Sequence, residues 1–365
     1  MNSSMEMDLK DVHWGKFVIQ DLFTIKIGKN VDGNKVDKNG GQVAYITRKE
    51  SENGLDGFID YKEEYLNVDR PVITIGNETA EPFVQEYPFF TGTKVNILIS
   101  KNNVSKEALL FISQSLKLHK SKYSYSYTIN STRLKRQIIQ LPINSEGNPD
   151  YAFMELYIRQ KELEKTTKFQ NYIAKRIEEV KDFKIVDPLH FKEWGGFEIG
   201  KLFKLFQGKS KGLNHLTKTS YGINYLGATN SNNGVLAYVQ PDNNEKMIQR
   251  GNCIAFIRNG EGSMGFSIYK AENFIATSDI SVGYSEFLNR EIGLFITTIA
   301  DKIRGKYNFG YKRSDTRLKK EKLQLPLDKN GQPDYDYMEN YIKKLEYEKL
   351  SKYLKRKTKD TPKSV

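Results

Sequence analysis

The sequence predicts an α+β chain built from two tandem modules, each a mixed β-sheet with helices. An approximate two-fold axis relates the modules, and each is followed by a long helix that packs antiparallel on the other. Three observations predict this. WGKFVIQDLFTIKIGK at Trp14 returns as WGGFEIGKLFKLFQGK at Trp194, an offset of 180 that also pairs Phe17 with Phe197, Ile19 with Ile199, Leu22 with Leu202, Phe23 with Phe203 and Gly28-Lys29 with Gly208-Lys209. The register holds through Tyr45 with Tyr225 and Asn53-Gly54 with Asn233-Gly234. It then grows to 184, where TRLKRQIIQLPINSEGNPDYAFMELYI from Thr132 meets TRLKKEKLQLPLDKNGQPDYDYMENYI from Thr316. A period this long exceeds any solenoid unit and marks a duplicated domain.

The elements follow in order, with modules over 1–149 and 188–333, long helices over 150–187 and 334–357, and a basic tail over 358–365. Each module begins with β-branched and aromatic runs punctuated by Gly and Asn, which read as short strands with exposed loops. In the first copy these are FVIQDLFTIKIG, VAYIT, PVITIG and VNILIS; in the second they include INYLGAT, VLAYV, NCIAFI and DISVGY. A helical run follows, KEALLFISQSLKLHK matched by NREIGLFITTIADKIRGK. The Gly and Pro of the G.PDY phrase then form a turn, and Asp150 or Asp334 caps the helix behind it.

Beyond each cap, apolar residues recur at three- and four-residue steps on a Glu/Lys background. The first stripe is Met154, Tyr157, Ile158, Phe169, Tyr172, Ile173, Ile177 and Val180; the second is Met338, Tyr341, Ile342, Leu345, Leu350, Tyr353 and Leu354. Each is an amphipathic helix in need of a partner, and in a duplicated chain each supplies the other's. The KTTK patch at Lys165–Lys168 interrupts the first stripe and marks the place for a kink or break. Trp14 and Phe17 are expected in the module core.

Composition narrows the function. The 365 residues carry 57 Lys+Arg against 45 Asp+Glu, a net charge of +12, which suits a polyanionic partner. No run approaches eighteen apolar residues, and MNSSMEMDLKDVHWG lacks a basic-then-apolar leader pattern, so a cytoplasmic protein without membrane association is expected. The one cysteine, Cys253, cannot form an internal disulfide. The four scattered histidines, His13, His119, His190 and His215, give no zinc-ligand spacing, so no metal site is expected.

Three apparent catalytic motifs fail on inspection. GNPDY at Gly147 approaches the Asn-Pro-Pro-Tyr grip of adenine methyltransferases, but Asp150 stands at its second proline and GQPDY in the other copy has lost the asparagine. GKS at Gly208 lacks a phosphate loop's first glycine, since Phe203 stands there. The Pro-Asp pairs sit at a turn and a helix start, where carboxylates do not converge into a nuclease site.

What remains is a distributed nucleic-acid signal. Loops behind the strands carry Arg48, Lys49, Asn77, Thr79, Asn230, Asn232, Arg258 and Asn259, and Arg suits guanine as Asn suits adenine in the major groove. A second stretch, HKSKYSYSY from His119 and RGKYNFGYKRSD from Arg304, mixes cations with tyrosines. It supplies Lys122 and Tyr123 in one copy and Lys306, Tyr307 and Arg313 in the other, ahead of Arg133 and Arg317, as phosphate contacts that fix position on a duplex.

The W..F.I..LF…GK openings at Trp14 and Trp194, the blocks from Tyr45 and Tyr225 to their Asn-Gly pairs, the LP…G.PDY..ME.YI endings and the helix after each resemble the DNA-specificity subunit of Type I and related Type IIB restriction-modification systems. The resemblance spans nearly the whole chain. It implies that each module is a target-recognition domain reading one half of a split site in double-stranded DNA, with the long helices forming an antiparallel coiled-coil spacer. It also implies a subunit without catalysis of its own, binding two modification subunits that methylate adenine with S-adenosylmethionine. In complexes that also cut DNA, a restriction subunit or fused nuclease would bring Mg2+ and ATP chemistry. The unlike loops TRKESENG and GATNSNNG predict two different half-sites. The competing expectations are a self-contained nuclease or methyltransferase, and a stand-alone DNA-binding or scaffold protein without methyltransferase partners.

Overall fold

The computed structural model describes residues 7–210, 212–240, 245–260 and 262–360. The chain divides into two compact units at Gln170/Asn171, a boundary inside the first long helix.

In the first unit the two ends of the repeat close on each other. Trp14–Val18 pairs antiparallel with Ile138–Pro142, Trp14 standing opposite Pro142. That explains why the opening and LP motifs bracket each copy. The run read as one strand from Phe17 is in fact two strands joined by a helical turn, Ile19–Leu22, before Phe23–Ile27. The turn buries Ile19 and Leu22 three residues apart, whereas a straight strand would send an i, i+3 pair to opposite faces.

Four antiparallel strands follow in the order Phe23–Ile27, Val95–Ser100, Val72–Gly76, Pro82–Gln85. A smaller mixed sheet sets Val43–Ile46 antiparallel to Leu55–Ile59 and parallel to Phe89–Thr91. Helix Lys106–Lys117, capped by the Ser105 side chain, packs Leu109, Ile112 and Leu116 into a core with Ile75, Leu98, Ile139 and Met154. Trp14 lies at the edge of this core rather than in it. It is 41% exposed and stacks on Phe111, because its strand is the outer partner of a two-stranded pair.

The second unit repeats the plan. Trp194–Glu198 pairs with Lys322–Pro326, a helical turn Ile199–Leu202 follows, and four antiparallel strands run Lys204–Gln207, Ile280–Tyr284, Cys253–Ile257, Ser267–Lys270. Its mixed sheet centres on Ile223–Leu226 between Val235–Val239 and Phe274–Ala276. Helix Arg290–Asp301, capped by Asn289, fills the place of Lys106–Lys117.

Both long helices start at the expected caps: Asp150 Oδ1 accepts from Phe153 N and Asp334 Oδ1 from Tyr337 N, each at 2.9 Å. The first runs unbroken over Tyr151–Val180. Lys165–Lys168 does not break it, because neither Lys nor Thr removes a backbone donor as proline would. The second, Tyr335–Asp360, continues through the start of the expected basic tail, of which 361–365 lie outside the described residues.

Within the second unit, the end of the first helix and the segment behind it run antiparallel to the second helix. Arg176 bonds Glu346, Phe183 meets the Tyr347 ring, and Lys184 reaches Asn340 and Asp336. No helix among the described residues is long and apolar enough to cross a membrane.

Candidate nucleic-acid interface

In the second unit three loops meet at one end of the sheets. The loop behind Ile223–Leu226 closes through Asn233 and Gly234, both at positive φ, a conformation these two residue types adopt at least cost. Asn53 and Gly54 do the same in the first unit, which accounts for the shared Asn-Gly pair. The loop behind Cys253–Ile257 is tied to it where Ser263 Oγ donates to Ala228 O at 2.6 Å. The segment from Arg304 completes a cleft of about 920 Å³ whose lining includes Asn230, Asn259, Met264, Tyr307, Phe309 and Lys312.

Asn230 is exposed, and Asn259 stands beside it with its amide donating to Asp279 Oδ1 at 3.1 Å. Asn232 is also exposed, its amide turned back to Val235 O. Lys306 and Arg317 are exposed, though Arg317 is committed: its guanidinium lies 4.0 Å over the Tyr311 ring and donates to Lys312 O at 2.8 Å.

The structure assigns several expected contacts a different role. Arg313 is fully buried, its Nε 3.0 Å from Glu321 and its Nη1 donating to the carbonyls of Gly265 and Phe266 at 3.0 and 3.2 Å. A cation so enclosed holds loops together and cannot meet phosphate. Tyr307 donates to the same Glu321, and burial together with that carboxylate pushes its pKa up. Arg258 donates to Ser278 O, and its Nε is buried with no partner among the described residues, so its fork is folded against the 277–279 loop rather than offered to a base.

The first unit assembles the corresponding end. Lys120 bridges Glu50 and Glu81 at 2.7 Å each, joining the loop behind Val43–Ile46 to the segment from His119. Burial alone would raise the Glu81 pKa, but hydrogen bonds from Lys117 and Lys120 hold it below the usual carboxylate range. Arg48 is paired with Glu78, and Lys49 with Glu52 and Leu55 O. Asn77 accepts from Asn96, and its own carbonyl accepts from Ile129 N, so it is a brace between loops. Thr79 Oγ1 is buried and faces inward. Tyr123 donates to Gln137 Oε1 at 2.7 Å, Arg133 repeats the Arg317 arrangement over Tyr127, and Lys122 is exposed.

Sequence reasoning missed Lys120, Met264, Phe309 and Lys312. For Arg313 a signal existed: the position 184 residues earlier is Ile129, a core residue.

The profile of the type I restriction-modification DNA specificity domain matches this chain twice, over residues 11–170 and 191–355. The chain belongs to that family. The specificity subunit of the type II restriction enzyme BcgI from Heyndrickxia coagulans is 37% identical over 343 residues, covering 92% of this chain and 95% of that protein. The crystal structure of a type I restriction-modification S subunit from M. genitalium shares the fold with a TM-score of 0.55 at 17% identity, over 96% of this chain and 94% of that one.

The protein is a specificity subunit: a non-catalytic DNA-recognition subunit of a restriction-modification system, with two tandem target-recognition domains. Such subunits bind DNA and partner with methyltransferase subunits. The cleft lies in the second domain, between the loops that carry Asn230 and Asn259.

Proposed function

We propose that this specificity subunit reads a bipartite DNA target, one recognition domain per half-site, with the paired long helices setting the gap. It recruits two modification subunits that methylate adenine with S-adenosylmethionine, in the cytoplasm where the DNA lies. The observation that carries this reading is the same loop architecture built twice with unlike chemistry. The second domain lines its cleft with Asn230 and Asn259, while the first carries a lattice of Lys, Arg and Glu. Asn pairs with adenine through two hydrogen bonds, so the two ends select different bases. The likeness to a type II restriction enzyme's specificity subunit supports an assembly that also cuts DNA, and any Mg2+ or ATP chemistry would belong to partner subunits.

The test is co-expression with candidate modification subunits, followed by long-read detection of methylated adenine in host DNA. A split motif with two unlike halves is expected; a continuous motif, or no methylation with a stably bound partner, would overturn the reading.

A further inference from the structure

Each recognition domain carries an antiparallel two-residue turn beside its basic, tyrosine-rich segment. Ser124 and Tyr127 bond each other's backbone twice, at 3.1 Å, leaving Tyr125-Ser126 as the tip; Asn308 and Tyr311 pair likewise at 3.3 and 3.0 Å around Phe309-Gly310. Such tips ordinarily take Asn, Asp or Gly. Here both copies hold an aromatic ring in solvent, Tyr125 at 85% and Phe309 at 88% exposure. A scattered exposed hydrophobic needs no explanation, but the same exposed ring at the same turn of both copies does.

The turns are rigid at the base. Tyr123 stacks on Tyr127 at 6.0 Å and 9°, and Tyr307 on Tyr311 at 6.0 Å and 13°. Arg133 and Arg317 each cover the outer ring at 4.0 Å. Tyr123 is anchored on Gln137 and Tyr307 on Glu321. The surroundings are cationic: Lys122 and Lys306 are exposed beside the turns, Lys312 Nζ lies 5.6 Å from the Phe309 ring, and Phe309 forms part of the rim of the asparagine-lined cleft. A flat apolar ring held out on a stiff, positively charged turn suits a base face more than a protein surface, because phosphates lie on either side of every base step. Tyr and Phe share only the ring, so stacking and not a hydroxyl contact is what the two positions have in common.

We propose that Tyr125 and Phe309 are stacking residues that insert against a base step, one in each half-site, and unstack it as the domains engage duplex DNA. This rests on the bipartite reading above. The experiment uses the complex with modification subunits and duplexes of its methylated target, carrying 2-aminopurine at successive positions of each half-site in turn. Wild type should brighten one position in each half-site.

Phe309→Ala should abolish that signal in one half-site alone and weaken binding about tenfold, as expected for loss of one base–aromatic stack. Phe309→Trp should restore both, and the salt dependence should not move, since no phosphate contact is lost. Tyr125→Ala should act in the other half-site. Unchanged affinity and fluorescence in Phe309→Ala would overturn the stacking role while leaving the bipartite reading intact. A wild-type complex that does not select the split target would overturn both. Loss of the modification subunits from Phe309→Ala would assign the ring to a protein contact instead.

Discussion

Arg313 and Ile129 occupy the same place in the two domains, and the residues around them changed in step. Where the second domain bonds a half-buried Tyr307 and a buried Arg313 to Glu321, the first has Tyr123, Gln137 and Ile129. An uncharged Tyr–Gln pair beside an aliphatic side chain does the work of that triad. Removing one partner of a buried ion pair leaves the other unpaired at a cost of about 3–5 kcal/mol, whereas replacing both is often neutral. Arg313→Ile alone should therefore destabilise the second domain by about that amount. Arg313→Ile with Glu321→Gln, the first domain's own solution, should recover most of it. Urea unfolding of both variants checks this, and equal losses would mean the two sites are not equivalent.

At the scale of elements, the second long helix is fastened by charge. Glu346 accepts from Arg176 at 2.9 and 3.1 Å and from Arg290 at 2.8 and 3.2 Å, while Arg176 also holds Glu179 and Glu291. Burial alone would raise the Glu346 pKa, but the two guanidinium groups pull it below the ordinary carboxylate range. A depressed carboxylate contributes stability that is complete above its unfolded pKa, about 4.3, and is lost as pH falls through the lower folded value. Wild type should therefore lose its advantage over Glu346→Gln below about pH 4, as read by thermal unfolding across pH. At neutral pH Arg176→Met should cost about 1–3 kcal/mol, less than an isolated buried pair because Arg290 remains. Stability identical to wild type at both pH values would show the network to be a surface ornament.

The same scale shows where local pattern succeeds. Asp150 and Asp334 were legible as caps because capping is decided within four residues. The Ile19–Leu22 turn was not, because β-branched and aromatic residues on both sides propose one strand and only burial of Ile19 against Leu22 breaks it.

For the whole molecule the proposed spacer makes a metric prediction. Removing Glu164–Gln170 shortens the first long helix by two turns, roughly 10 Å, while keeping its apolar face nearly in register. That length corresponds to about three base pairs at 3.4 Å each. If the helix sets the gap, methylation sequencing of the shortened subunit should report half-sites closer by about that number. An unchanged gap would remove the helix from any spacer role.

The duplication, the α+β class, the caps, the basic charge and the family were all in the sequence, because each depends on periodicity, composition or neighbours close along the chain. Tertiary structure alone decided which cations face solvent. Arg313 is held by Gly265 and Phe266, 48 and 47 residues away, and Lys120 by Glu50 and Glu81, 70 and 39 residues away. A long charged side chain reads alike in a loop whether it ends in water or on a buried carboxylate. The partner that settles its role is brought beside it only by the fold.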